Sequence, residues 1–253
     1  MPPHAKIELI IPARNEERSI GRVLGEIPPG LYTRILVVDN GSTDQTAAVA
    51  RAAGATVLGE PRRGYGRACL RAIAELSTET DVVVFMDADA SDVPAEAAAL
   101  VQPILDGEAD LVIGSRTQGS AETDALQTHQ HFGNRLATAL IRLLYGHRYT
   151  DLGPFRAIRV SSLRGLQMRD TGYGWTIEMQ VKALGRGLRV REAPVSYRRR
   201  IGESKISGRL GPSLAAGVKI LWTLLRLYAT RCRRPQPPGT ADEVDRRVGP
   251  RRG

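Results

Sequence analysis

Val82-Val83-Val84-Phe85-Met86-Asp87-Ala88-Asp89-Ala90-Ser91 decides how the rest of the chain is read. Its first half is a short apolar run bounded by polar residues, which predicts a buried strand of a parallel sheet. The run stops at Asp-Ala-Asp. Side chains two residues apart leave a strand on the same face, so Asp87 and Asp89 are expected to point together. In α/β sheets, ligands bind just beyond the carboxyl ends of the strands. Two carboxylates there, with Ala88 between them, make a hard oxygen site suited to Mg2+ or Mn2+, which in turn holds a phosphate. The competing reading is a solvated acidic turn that caps a helix starting near Pro94.

Working outward, residues 6–11 read as a first strand that stops at Pro12, followed by Ala13-Arg14-Asn15-Glu16-Glu17 and a helix. Residues 34–38 read as a second strand, ending in Asp39-Asn40-Gly41-Ser42-Thr43-Asp44, with Ser42 or Thr43 as cap of the Ala-rich helix beyond. A short third strand, a Gly64-Tyr65-Gly66 loop and another helix lead to the strand that ends at Asp87. A helix from Pro94 and a fifth strand near residues 109–113 follow. Strict alternation of strand and helix predicts βαβ units and a mostly parallel, Rossmann-like sheet with flanking helices. The loops after the first, second and fourth strands then fall on one edge. A single site can draw on Asn15, Glu17, Asp39, Ser42, Asp87 and Asp89. The first strand is followed by no GxGxxG, which argues against a dinucleotide fold.

Past Arg116, residues 117–127 read as a mobile loop over the site, and residues 128–145 as a helix carrying Asn134 and Arg135. Residues 198–208 hold four cations, including Arg200 and Lys205. They read as a solvated basic loop or as a phosphate clamp. The expected organisation is a catalytic domain over residues 1–210, an amphipathic helix over 211–232 and a disordered basic tail over 233–253. On the helix, Lys219, Thr223, Arg226 and Thr230 form a polar stripe, with Leu214, Val218, Leu221, Trp222, Leu225 and Tyr228 elsewhere on the wheel. That suits a helix lying in a membrane interface, and equally one packed on the domain or in a homodimer interface.

The chain has 253 residues, a formal charge of +9 and a pI near 10, which points to an anionic partner: nucleic acid, a membrane surface or phosphorylated ligands. Nucleic acid ranks last, because many of the cations sit at the expected phosphate site and no aromatic-interleaved surface is evident. Two cysteines, Cys69 and Cys232, make neither a disulfide framework nor a zinc site. With no signal peptide and no bilayer-spanning apolar run, the expected location is cytoplasmic, free or peripheral on the inner membrane face.

Together these motifs resemble family 2 glycosyltransferases of GT-A fold, through residues 12–17, 38–44 and 87–89. Gly114-Ser115-Arg116, Gly133-Asn134-Arg135, Thr150-Asp151 through Phe155-Arg156, and Gly202-Glu203-Ser204-Lys205 resemble the dolichyl- and polyprenyl-phosphate hexose synthases within that family. The resemblance implies an inverting, metal-dependent transfer of glucose or mannose from UDP-glucose or GDP-mannose to a polyprenyl phosphate. A soluble family 2 enzyme acting on a small-molecule or glycan hydroxyl is the alternative. By the resemblance, Pro12, Ala13, Asn15, Glu17, Asp39 and Ser42 hold the nucleoside, and Asp87 and Asp89 the metal. Arg116 and Arg135 grip an acceptor phosphate, while Arg200, Ser204 and Lys205 close over the diphosphate or the acceptor. A hydroxyl acceptor would need a base, for which Asp151 and Glu178 are the candidates; otherwise each reads as a turn residue and a solvent-facing helix position. Two positions depart from the family pattern: Asn40 replaces a second Asp, and Ser91 stands where Gln is usual.

Overall fold

The computed structural model describes residues 5–120, 122, 128–202, 219 and 221–229, with the backbone alone for 128–132. In order these form β1 (Ile7–Ala13), α1 (Ile20–Gly25), β2 (Arg34–Asp39), α2 (Thr46–Ala52), β3 (Thr56–Gly59), α3 (Tyr65–Ile73) and β4 (Val82–Phe85). A 3-10 turn (Pro94–Glu96) leads to α4 (Ala97–Leu105) and β5 (Leu111–Ser115). Then come α5 (Thr128–Tyr145), β6 (Arg156–Arg159), α6 (Val160–Leu166), α7 (Trp175–Gly185) and β7 (Val190–Pro194). Residues 221–229 are helical. No helix among the described residues is long and apolar enough to cross a membrane.

One seven-stranded sheet runs in the order β3-β2-β1-β4-β6-β5-β7. It is parallel throughout except for β6, which lies antiparallel between β4 and β5. Its inner strand β4 is buried on both faces, which is why it reads as unbroken apolar sequence, whereas the edge strands β3 and β7 are partly exposed. One face packs Leu9, Ile11, Val82 and Val84 under Ile20, Ala50, Leu100 and Ile104 of α1, α2 and α4. The other packs Ile10, Val83 and Phe85 under Cys69, Ile141, Leu163 and Trp175 of α3, α5, α6 and α7.

The reversed β6 matters for the site. Its register sets Arg156 beside Phe85, so residues 151–155 arrive at the same edge as the loop after β4. Parallel strands bring their carboxyl ends there; β6 brings its amino end.

Several local expectations are corrected. β1 does not stop at Pro12 but runs to Ala13. The Ile10 carbonyl accepts from Met86 N–H and the Ala13 carbonyl from Asn40 N–H, so alternate residues face β4 and β2. Pro12 therefore faces the β4 side, beyond that strand's end at Phe85, where a missing N–H breaks no ladder. Neither Ser42 nor Thr43 caps α2, which begins only at Thr46; the Asp44 carboxylate accepts from Thr46 N–H at 3.0 Å instead. In helix 221–229 the expected polar stripe is turned inward at Thr223. Thr223 and Leu224 are fully buried, while Trp222 and Leu225 are about half exposed.

Candidate active site

The loops after β1 and β2 are knitted together. Asn15, at φ +50°, donates its N–H to Ser42 Oγ at 3.0 Å and accepts from Thr43 N–H at 2.8 Å. Glu17 accepts from Gln45 N–H at 2.9 Å, and Asp39 accepts from Ser42 N–H at 3.1 Å. Asn40 turns the other way. Its amide donates to the Glu60 and Arg62 carbonyls and accepts from Gly64 N–H at 2.8 Å. An aspartate could accept from Gly64 but could not donate to two carbonyls, so the Asn fits its neighbours here. Gly64-Tyr65-Gly66 is not a loop but the start of α3, with Gly64 as its N-cap, and it approaches residues 170–171 closely. A Cβ on Gly66 would lie 2.1 Å from the Asp170 carbonyl oxygen.

At the end of β4 the acidic turn folds on itself. Asp89 Oδ1 accepts from Ser91 N–H at 3.0 Å and Ser91 Oγ at 2.5 Å, around Ala90 at φ +63°. That left-handed conformation is strained for a residue with a Cβ, and the two bonds hold it. Asp92 Oδ2 accepts from Asp87 N–H at 3.1 Å, while its Oδ1 is buried with no hydrogen-bond partner. Burial, then the neighbouring Asp89, pushes the Asp87 carboxyl up to about 7. Burial, then Asp87 and Asp89, holds Asp92 well above its ordinary value. The turn is therefore short of positive charge. Arg200 supplies part of it, with Nη2 3.0 Å from Asp89 Oδ2 and 3.8 Å from Glu16 Oε1.

These residues fit a divalent cation of the Mg2+ kind, which is held by one or two carboxylates and completed by substrate phosphates and water. Among the described residues, no group of three or more His, Cys, Asp and Glu is placed to hold a metal ion by itself. The two carboxylates that would serve are Asp87 and Asp89, on the ledge where β4 ends.

Facing the ledge, Arg116 and Asp151 are locked to each other. Arg116 Nε and Nη2 donate to the two Asp151 oxygens at 2.7 and 2.8 Å, and Arg116 N–H donates at 2.9 Å. Leu152 N–H adds a bond to Oδ1 at 2.7 Å. Burial opposes the charge of Arg116, yet the Asp151 pair holds its pKa above the ordinary value. The guanidinium also lies 5.0 Å from the Tyr197 ring centre, and its charge favours the ionised forms of Asp87 and Asp92. Asn134 on α5 props this corner, accepting from Leu152 N–H at 2.9 Å and donating to the Thr150 carbonyl at 3.2 Å.

The remaining candidates separate. Arg135 is exposed on α5. Glu178 is not solvent-facing, because it is buried and accepts from Arg169 and Asp170 N–H while pairing with Lys182 at 2.7 Å. Ser204 and Lys205 lie outside the described residues, as do most of the loop over 117–127 and the tail over 233–253. Pro12 and Ala13 are the last residues of β1 at that edge, and Ala88 lies in the bend after β4.

A family model described as glycosyl transferase family 2 matches residues 8–166, which span every strand named above except β7. The chain belongs to glycosyl transferase family 2. An uncharacterized glycosyltransferase of Mycobacterium tuberculosis is 39% identical over 83% of this chain and 94% of its own length. The undecaprenyl-phosphate mannosyltransferase of Micrococcus luteus is 32% identical over 80% of this chain and 88% of its own. Among solved structures, glucosyl-3-phosphoglycerate synthase from Mycobacterium tuberculosis superposes with a TM-score of 0.73 at 26% identity. The match covers 89% of this chain and 80% of that one, which was crystallised with Mn2+, UDP and glucosyl-3-phosphoglycerate. The family 2 chain thus has the GT-A fold.

Sequence reasoning missed Asp92, Tyr197 and Glu16 at this edge. Asp92 had a signal, a third acid five residues after Asp87. Tyr197 had none, because its position follows from a bridge between Asp92 and Tyr197 across the molecule.

Proposed function

We propose that this family 2 glycosyltransferase moves a glucosyl or mannosyl group from UDP-glucose or GDP-mannose to a polyprenyl phosphate, with inversion. Asn15, Glu17, Asp39 and Ser42 would hold the nucleoside and Asp87 and Asp89 the divalent ion, which supplies charge stabilisation for the departing diphosphate. Arg200, released from Asp89, would turn to that diphosphate with Ser204 and Lys205. Arg116, fixed by Asp151, would orient the acceptor phosphate, joined by Arg135.

The observation that carries this reading is the state of the two candidate bases. All four short bonds to Asp151 occupy its lone pairs, and Glu178 is spent on the backbone of 169–170. A hydroxyl acceptor needs a base. A phosphate acceptor is already ionised and needs positioning, which a pre-aligned arginine provides. The named acceptor of the Micrococcus relative supports the lipid form. The phosphoglycerate of the structural neighbour keeps a soluble phosphorylated acceptor as the second reading.

The test is donor consumption by the full chain, with Mg2+ or Mn2+ and a panel of UDP- and GDP-sugars, with and without a short polyprenyl phosphate. Nucleoside diphosphate release that requires the lipid phosphate is the expected result. Release only with a soluble acceptor replaces it with the second reading.

A further inference from the structure

Residues 197–201 are laid against the acidic turn on one side and against Ser120 and Glu122 on the other. Arg198 N–H donates to the Ser91 carbonyl and Ile201 N–H to the Asp89 carbonyl, both at 2.8 Å. Tyr197 N–H donates to the Ser120 carbonyl, and the Tyr197 carbonyl accepts from Glu122 N–H, both at 2.9 Å. The main chain at Tyr197 is therefore held from both sides without help from its side chain.

That side chain is large, buried and turned to the site. The Arg116 guanidinium lies over its ring, 5.0 Å from the centre. Asp151 holds the same guanidinium by one edge, through Nε and Nη2. Among the described residues nothing accepts from Nη1, so Nη1 is a donor left for a phosphate. An edge contact alone lets the plane tilt. A ring packed on the face of the guanidinium resists the tilt and so sets where Nη1 points.

The other end of Tyr197 reaches the acidic turn. Its hydroxyl lies within hydrogen-bonding reach of the Ser91 side chain, and burial pushes its pKa up, so it stays protonated. Ser91 Oγ gives its own proton to Asp89 Oδ1, so toward Tyr197 it can only accept. A chain of donors runs from Tyr197 through Ser91 to Asp89, in which each bond polarises the next. One side chain thus touches the arginine of one corner and steadies the carboxylate of the other.

We propose that Tyr197 is a positioning residue that sets the two halves of the transfer against each other. Its ring aims Arg116 at the acceptor phosphate, and its hydroxyl, through Ser91, holds Asp89 for the divalent ion. The inference rests on the roles proposed above for Arg116 and Asp89. It applies to a lipid or a soluble phosphorylated acceptor alike, because the arginine meets only the phosphate. The two ends are separable: Tyr197→Phe removes the hydroxyl alone, and Tyr197→Leu removes the ring as well.

The test compares the full-length wild type with Tyr197→Phe, Tyr197→Leu and Arg116→Lys, each checked for folding by circular dichroism. Steady-state kinetics use Mn2+, whichever of UDP-glucose and GDP-mannose supports turnover, and a short prenyl phosphate or phosphoglycerate as acceptor. Titration calorimetry measures Mn2+ binding to the donor-free protein. Tyr197→Phe should weaken Mn2+ binding about threefold or more and leave the acceptor KM within about twofold. Tyr197→Leu should weaken Mn2+ binding equally and also raise the acceptor KM at least about fivefold. A merely structural role would move both readouts together in both variants. Unchanged Mn2+ affinity in Tyr197→Phe overturns the proposal, and decides it alone if Tyr197→Leu does not fold. So does an acceptor KM that Leu leaves unchanged or that Phe raises as much as Leu. Arg116→Lys separates this failure from that of the reading beneath it. If Arg116→Lys raises the acceptor KM and Tyr197→Leu does not, Tyr197 alone loses its role. If Arg116→Lys leaves the acceptor KM unchanged, Arg116 does not hold the phosphate and the acceptor reading falls. Transfer only to acceptors without a phosphate overturns both.

Discussion

Asp89 and Arg200 together show how the acidic turn after β4 balances its charge. Asp89 spends one oxygen on Ser91 and offers the other to Arg200. The guanidinium stands beside the carboxylate, and on the proposed reading a divalent ion would have to displace it before Asp89 could coordinate. Two outcomes follow. Asp89→Ala should lower kcat/KM by at least about 10³-fold, since charge on the leaving diphosphate loses its stabilisation. The circular dichroism spectrum should stay unchanged, and retained activity would remove Asp89 from the metal site. Arg200→Gln should separate binding from chemistry. With the competing cation gone, Mn2+ should bind the donor-free protein a few-fold more tightly by titration calorimetry. Turnover should nonetheless fall by about 10- to 100-fold, because the clamp on the diphosphate is lost. Unchanged Mn2+ affinity would show that Arg200 does not compete for Asp89.

Elements carry the site through contacts that local sequence does not announce. The strands β1, β2 and β4 were legible because apolar runs ending in polar loops are local signals. The loops that follow them, and with them Asn15, Asp39, Ser42, Asp87 and Asp89, were legible for the same reason. Residues 155–159 read as a strand too, but the antiparallel direction of β6 was not legible, because strand direction is decided by partners far along the chain. The Arg116–Asp151 pair escaped likewise: both residues were singled out, but nothing local joins positions 35 apart. Glu178 looked solvent-facing because it is charged and helical. Its burial depends on the 169–174 segment, which α3 in turn pins through Gly64 and Gly66. Gly66→Ala should therefore act beyond α3. A Cβ 2.1 Å from the Asp170 carbonyl must push the segment away, loosening the Glu178 bonds to Arg169 and Asp170. The expected loss is roughly 2–4 kcal/mol in denaturant unfolding, in the range for overpacking combined with buried polar groups left unpaired. A loss below about 0.5 kcal/mol would show that the segment moves freely and that the close approach is incidental.

The whole molecule pays for its acidic edge in stability, and pH reveals the cost. Asp87 in the folded chain has its pKa pushed up to about 7, against an ordinary value of 3.8, and Asp92 is shifted the same way. Between those values the folded state keeps a proton that the unfolded chain has released. Stability from this source is complete below about pH 4 and is lost as pH rises through about 7. Asp44 and Asp110 are held below 3.8 by their hydrogen bonds, outweighing burial at Asp44, so their opposite contributions act at lower pH. Between pH 5 and 8 the metal-free protein should therefore show a falling Tm. On the proposed reading, a divalent ion held by Asp87 and Asp89 would supply the charge that the lost proton supplied, and it would bind the ionised form. Saturating Mn2+ should raise Tm little at pH 5 and by several degrees at pH 8, flattening the slope. Asp87→Asn should reduce the slope without metal, since no proton is exchanged at that position, and leave the part that Asp92 carries. Scanning calorimetry across the pH range, with and without Mn2+, distinguishes the sources. A slope unchanged in Asp87→Asn would place the titrating group elsewhere, and a Mn2+ shift independent of pH would mean that the ion does not compete with this proton.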